Sequence, residues 1–139
     1  MQKYKELTIL VAEDDDGHAE LIMSGLKESG ICNQMIRFVD GQQTWDFISG
    51  KGKNMVMDKN KSYLLLLDIN MPEVSGLDVL EFVRRRKEWD SLPVVILSTE
   101  AADVTVDNAM QLGADGYVTK PVMIDELQNE ISRAIRKRK

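Results

Sequence analysis

The chain has 139 residues, which is enough for one domain and leaves little room for a second. Its net charge of −5 argues against a basic nucleic-acid-binding face, and its single cysteine excludes an intrachain disulfide and a multi-cysteine metal site. The first apolar stretch, about five residues long, is too short for a signal peptide or a membrane span. We therefore expect a cytoplasmic protein whose single domain spans residues 1–139.

Five short runs predict β-strands. In chain order they are Leu7–Ala12, Gln34–Val39, Tyr63–Leu67, Pro93–Leu97 and Gly116–Thr119. The first, third and fourth runs are almost wholly apolar, which is typical of strands that are covered on both faces. A buried helical segment is the alternative, but each run is short and ends abruptly at Asp, Pro or Gly. The second run alternates more and the last is weaker.

Five further stretches have apolar residues at helical spacing. They are Ala19–Ser29, Gly41–Ser49, Leu77–Trp89, Ala102–Leu112 and Ile124–Arg136. Strands and helices alternate along the chain, which predicts an α/β fold with right-handed crossovers and a parallel sheet covered by helices on both faces. Residues 50–62 interrupt this alternation with a polar segment containing four lysines, and we expect a long exposed loop there.

Polar side chains follow four of the predicted strands. They are Glu13, Asp14, Asp15 and Asp16 after the first strand, Asp68 and Asn70 after the third, Ser98, Thr99 and Glu100 after the fourth, and Lys120 after the fifth. In an open parallel sheet, ligands bind beyond the carboxyl ends of the strands. We therefore expect a carboxylate cluster, a hydroxyl and a lysine to converge at one edge of the sheet.

These groups suit phosphoryl transfer. Clustered carboxylates repel one another unless a cation lies among them, and oxygen ligands of this kind suit Mg²⁺. A carboxylate such as Asp68 can attack phosphorus, and Mg²⁺, Lys120 and the Ser98 hydroxyl would then stabilise the phosphoryl oxygens. Taken singly, the acidic run and Asp68 are more typical of caps, and Lys120 of a solvated lysine. Their combination in this strand order favours a phosphoryl site.

Four motifs carry a resemblance to the receiver domain of two-component response regulators over about residues 7–136. They are ILVAEDD, LLLLDINMPEVSGLDVL, PVVILSTEA and GADGYVTKP. The chain is similar to the stand-alone, single-domain regulators, including those that pair with phytochrome-type kinases. The resemblance implies a flavodoxin-like, doubly wound (βα)5 fold with strand order 2-1-3-4-5. It also implies a signalling switch rather than an enzyme, phosphorylated by a sensor histidine kinase or a histidine phosphotransfer protein.

The resemblance assigns roles around the phosphoacceptor, which is Asp68. Asp14 and Asp68 match direct ligands of Mg²⁺ (or Mn²⁺), Glu13 matches a ligand that acts mainly through water, and the backbone carbonyl of Asn70 matches the third protein ligand.

Further roles follow for the last two strands. Ser98 resembles the switch hydroxyl, Lys120 the phosphate-binding lysine and Tyr117 the aromatic switch residue. The Lys120–Pro121 peptide bond resembles one that is usually cis in the family.

Three residues bear on rates. The resemblance implies that Asn70 and Glu100 occupy positions where polar groups position an attacking water, so we predict relatively fast self-dephosphorylation. Thr99 stands where the family prefers alanine or glycine, which puts unhindered access to Asp68 in doubt.

Phosphorylation is expected to switch the face formed by the fourth helix, fifth strand and fifth helix, at residues 102–112, 116–119 and 124–136. This face would bind a downstream target protein, a phosphotransfer protein or a second copy of the chain, giving a homodimer. We expect no direct contact with nucleic acid or membrane.

Two rival functions are a constitutive interaction module and an aspartyl-phosphate phosphohydrolase. The intact set of site residues argues against the first. The second needs a carboxylic general acid two residues after the nucleophile, where this chain has the amide of Asn70. A flavin site would need a Ser/Thr/Gly-rich phosphate loop in place of EDDDGH.

Overall fold

The structure is a computed structural model that describes residues 6–52, 55–58, 60–99 and 102–138. Within these ranges, five parallel strands form one sheet and alternate with α-helices. The strands are β1 (Leu7–Ala12), β2 (Met35–Phe38), β3 (Ser62–Asp68), β4 (Val94–Ser98) and β5 (Gly116–Thr119). The helices are α1 (Asp16–Glu28), α2 (Gly41–Ser49), α3 (Gly76–Arg84), α4 (Asp103–Gln111) and α5 (Ile124–Lys137), and a 3₁₀ helix spans Lys87–Trp89. The order β2-β1-β3-β4-β5 confirms the predicted flavodoxin-like topology.

The sheet separates two apolar cores. Leu65 and Leu67 of β3 lie in the core that contains residues of α2, α3 and α4. Leu64 and Leu66 lie in the opposite core, which contains residues of α1 and α5. Because successive side chains of a strand point to opposite faces, the four consecutive leucines supply both cores. All four are fully buried, and β3 therefore holds its last residue, Asp68, in a fixed place.

The first helix begins earlier than predicted. It starts at Asp16 rather than Ala19 because the Asp15 carboxylate accepts a hydrogen bond of 2.9 Å from the backbone N–H of His18. This side chain satisfies a backbone donor of the first turn, which would otherwise have no partner within the helix.

The third helix is shorter than predicted, because it ends at Arg84 and not at Trp89. The Arg84 guanidinium donates to the carbonyl oxygens of Trp89, Leu92 and Gly113 at 2.7–3.0 Å. These contacts hold the chain that follows in a turn and the 3₁₀ helix, so that it enters β4 instead of continuing as an α-helix.

The segment at 50–62 is only partly described, since Lys53, Asn54 and Lys59 lie outside the described residues. Met55 and Val56 are exposed, as expected for a loop, whereas Met57 packs against the core on the α2–α4 side of the sheet. Every helix in the described part of the chain is too short or too polar to cross a membrane.

Candidate functional site

The carboxyl ends of four strands bring the predicted site residues to one edge of the sheet. Glu13 and Asp14 directly follow β1, Asp68 ends β3, Ser98 ends β4 and Lys120 directly follows β5. The Glu13 and Ser98 side chains are fully buried and Asp68 is 1% exposed, while Asp14 is open to solvent. The site is therefore a pair of buried carboxylates with an exposed third one beside them.

Lys120 contacts both buried carboxylates. Its Nζ lies 2.7 Å from Glu13 Oε1 and 3.1 Å from Asp68 Oδ2, and its side chain is only 7% exposed. The other oxygen of Asp68, Oδ1, accepts a hydrogen bond of 3.0 Å from the backbone N–H of Asn70. These contacts explain how a charged group is held at the end of so apolar a strand.

One ammonium is too little positive charge for two buried carboxylates. Burial raises the pKa of Glu13, the nearby ammonium of Lys120 lowers it and Asp68 raises it again, and together they bring it to about 7. Burial alone would lower the pKa of Lys120, but its close contact with the Glu13 carboxylate and the charge of Asp68 raise it above its ordinary value. A second cation would relieve this shortage.

The donor set fits a small divalent cation. One carboxylate oxygen from each of Glu13, Asp14 and Asp68 lies within 4.8 Å of the other two. Glu13 Oε1 is buried and accepts no aligned hydrogen bond from the described residues, although Lys120 lies close to it. Carboxylate oxygens, one of them open to water, suit Mg²⁺ or Mn²⁺, which keep several waters when bound to proteins.

The backbone of Asp68 is in close contact with the first residue of α3, Gly76. A Cβ atom on Gly76 would lie 2.2 Å from the Asp68 carbonyl oxygen and 2.8 Å from the Cα of Ile69. The Gly76 N–H also donates a 3.0 Å hydrogen bond to the Ile69 carbonyl oxygen. Position 76 therefore needs a glycine, because any side chain there would collide with the backbone of Asp68. The sequence alone did not reveal this requirement.

Asn70 and Thr99 meet at the open side of the site. Both residues are exposed, and Asn70 Nδ2 donates a hydrogen bond of 3.3 Å to Thr99 Oγ1. Glu100, which is predicted to tune dephosphorylation together with Asn70, lies outside the described residues.

Tyr117 lies in β5, opposite Ile96 of β4, and its ring is partly buried against the core on the α2–α4 side of the sheet. The Lys120–Pro121 peptide bond is cis, and the Lys120 N–H donates to the Ser98 carbonyl oxygen at 2.7 Å.

Arg37 of β2 is a neighbour of the site that the sequence analysis missed. Its guanidinium donates to the backbone carbonyl oxygen of Glu13 and pairs with the Asp16 carboxylate. The only available signal was one cation within the otherwise apolar strand MIRF.

Comparisons with known proteins agree with this geometry. The family model of the response regulator receiver domain matches residues 9–132. The chain is 28% identical over 126 residues to the probable methanogenesis regulatory protein FilR2 of Methanothrix harundinacea (strain 6Ac), covering 88% of this chain and 77% of that protein. It spans only 18–45% of three other curated relatives, so those matches concern one part of longer proteins.

Two solved structures extend the comparison. The bacteriophytochrome response regulator RtBRR superposes with a TM-score of 0.81 at 32% identity, over 91% of this chain and 76% of that chain. The Mn²⁺-bound form of response regulator Rcp1 superposes with a TM-score of 0.72 at 27% identity, over 93% of this chain and 89% of that chain.

Proposed function

Because this chain belongs to the family of response regulator receiver domains, we propose that it is a phosphorelay switch which accepts a phosphoryl group on Asp68. The donor is a phosphohistidine of a sensor histidine kinase or of a histidine phosphotransfer protein. The observation that carries this proposal is the buried Asp68 carboxylate, which shares Lys120 with Glu13 and has a cation-sized cluster of oxygens beside it. The protein acts as a signalling switch in the cytoplasm rather than as a metabolic enzyme.

The proposed reaction forms a bond between an Asp68 carboxylate oxygen and phosphorus and breaks the bond between phosphorus and the donor nitrogen. Lys120 already contacts Asp68 Oδ2, so its ammonium is placed to bind a phosphoryl oxygen. Ser98, at the end of the adjacent strand, supplies a hydroxyl. Mg²⁺ or Mn²⁺, held by Glu13, Asp14, Asp68 and the Asn70 backbone carbonyl, would neutralise charge on the transferred group.

The signal is proposed to leave through α4, β5 and α5. Ser98 and Tyr117 are the switch residues, and Tyr117 connects β5 to the core beside α4. A new dianionic group at the site biases this face between two states, and the face then binds a downstream target protein or a second copy of the chain. We propose no direct role for nucleic acid or membrane in this recognition.

Self-dephosphorylation is proposed to be relatively fast. Asn70 is exposed and polar, and its side-chain amide donates a hydrogen bond to Thr99. Once this hydrogen bond breaks, the amide is suited to positioning a water near the phosphoryl group. Glu100 is proposed to assist. A phosphorylated form that persists for many hours in Mg²⁺ would contradict this part of the proposal.

Intact mass after incubation with acetyl phosphate tests the function. Fluorescence is a poor readout of phosphorylation, because the tryptophans do not lie at the site. Trp45 and Trp89 pack on each other, and Trp89 lines a cavity with Leu7 at the amino-terminal edge of the sheet. The wild type should gain the mass of one phosphoryl group only when Mg²⁺ is present. Asp68→Asn should gain none.

The matched control is Glu28→Gln, which removes an exposed carboxylate at the carboxyl end of α1, outside the site and the proposed switching face. This variant should be phosphorylated like the wild type. No gain in the wild type, or the same gain in Asp68→Asn, would contradict the proposed function.

A further inference from the structure

Arg37 contacts the chain where it leaves β1 for the site. Its Nε and Nη2 donate to the Glu13 carbonyl oxygen at 3.1 and 2.8 Å, and its Nη1 donates to Asp16 Oδ1 at 2.7 Å. Arg37 lies in the edge strand β2, in register with Val11 of β1, and its side chain is 22% exposed. All three of these donors are thus directed at the segment 13–16, between the end of β1 and the start of α1.

The two hydrogen bonds to one carbonyl oxygen fix a peptide group. The C=O of Glu13 belongs to the peptide that joins Glu13 to Asp14, and a planar guanidinium fork resists rotation of that peptide. The N–H of Glu13 is also fixed, because it donates to the Phe38 carbonyl oxygen at 3.1 Å. With both backbone groups held, the Glu13 side chain is directed inward to Lys120 and the Asp14 side chain outward to solvent.

We propose that Arg37 is a positioning residue of the metal site, which holds the Glu13–Asp14 peptide so that both carboxylates face one cation. The proposal rests on the proposed function, and it assigns a role to a residue that touches neither the cation nor the phosphoryl group. Groups of this kind orient metal ligands in many proteins, and their loss weakens metal binding although every ligand remains.

Electrostatics alone makes the opposite prediction. Arg37 is a cation close to an acidic cluster, so removing its charge should strengthen the binding of Mg²⁺ if charge were its only contribution. The ion pair between Arg37 and Asp16 does not explain a loss of Mg²⁺ affinity either. The Asp16 side chain is 89% exposed, and exposed ion pairs contribute little to stability. The sign of the change in affinity therefore separates positioning from charge.

The experiment titrates Mg²⁺ into wild type, Arg37→Met and Asp16→Asn by isothermal calorimetry, with thermal unfolding in the absence of Mg²⁺ as a check of the fold. Arg37→Met should raise the Kd for Mg²⁺ by about 10-fold or more, and Asp16→Asn should change it much less. The matched control is Arg85→Met, which removes the same charge from an exposed pair with Glu81 at the far end of α3. It should bind Mg²⁺ like the wild type.

Equal or tighter Mg²⁺ binding by Arg37→Met would overturn the proposal. If that variant does not unfold cooperatively, Arg37→Lys decides the question, because lysine keeps the charge but not the fork. Weaker binding by Arg37→Lys supports positioning, and unchanged binding overturns it. A wild type that does not bind Mg²⁺ would instead contradict the metal site of the proposed function, so the two failures are distinguishable.

Discussion

Replacing Lys120 by methionine should destabilise the metal-free protein and make its stability depend more strongly on pH. The ammonium lies 2.7 Å from Glu13 and 3.1 Å from Asp68, and all three side chains are buried. Removing one partner of a buried ion pair typically costs about 3–5 kcal/mol, because a charge stays behind without a counterion. In Lys120→Met two buried carboxylates, Glu13 and Asp68, lose their counterion. Uptake of a proton by Glu13 removes one of the two negative charges and so limits the cost.

The sign of the pH dependence follows from Glu13. Its pKa is raised from 4.5 to about 7 in the folded state, mainly by burial, so the folded protein binds this proton more tightly than the unfolded chain does. The tighter binding of this proton stabilises the folded state of the wild type by at most about 3 kcal/mol. This contribution is fully present below pH 4.5 and is lost as the pH rises through about 7. Without Lys120 the pKa of Glu13 should rise further, and the loss should grow.

Urea unfolding followed by circular dichroism measures this effect. At about pH 5 the protonated Glu13 can donate a hydrogen bond to Asp68, so the deficit of Lys120→Met should be smaller than at about pH 8, where it should approach 3 kcal/mol or more. The matched control is Lys87→Met, an exposed lysine of the 3₁₀ helix, which should be unaffected. Mg²⁺ should restore more stability to Lys120→Met than to the wild type. Equal stability of Lys120→Met and wild type at about pH 8 would refute the reasoning.

Two further substitutions separate the site from the opposite edge of the sheet. Gly76→Ala places a Cβ 2.2 Å from the Asp68 carbonyl oxygen, so it should destabilise the fold by about 2–3 kcal/mol. It should also slow phosphorylation by acetyl phosphate at saturating Mg²⁺. Unchanged stability and rate would show that close contact with Gly76 does not fix the position of Asp68. Asp115→Asn weakens the buried contacts with Arg84 at 3.0 Å and Arg138 at 2.7 Å, so urea unfolding should show a loss of about 3 kcal/mol in stability. The phosphorylation rate of the folded variant should stay unchanged. A slower rate in fully folded protein would contradict the independence of this contact from the phosphorylation site.

The sequence predicted the sheet and the position of the site because both depend on local patterns. Strands such as Tyr63–Leu67 were identifiable because a strand covered on both faces must be apolar throughout, and the structure extends this one by a single residue at each end. The convergence of Glu13, Asp68 and Lys120 followed from the rule that the carboxyl ends of parallel strands meet at one edge. Neither inference needed a specific long-range side-chain contact.

The features that sequence reasoning missed depend on such contacts. Arg37 and Glu13 are far apart in the sequence, and nothing in the strand MIRF indicates which carbonyl its guanidinium reaches. The same limit explains the early end of α3, where Arg84 binds Gly113. Within the acidic run, the structure separates Asp15, which caps α1, from the carboxylates that face the site.

The most direct test of the central claim is to locate the phosphoryl group on the chain. Protein treated with acetyl phosphate and Mg²⁺ is reduced with borohydride, which converts an aspartyl-phosphate to homoserine, and its peptides are then sequenced by mass spectrometry. The account predicts homoserine at position 68 alone, dependent on Mg²⁺ and reduced in Lys120→Met. Modification at Asp14, Asp15 or another carboxylate, or none at Asp68, would contradict it.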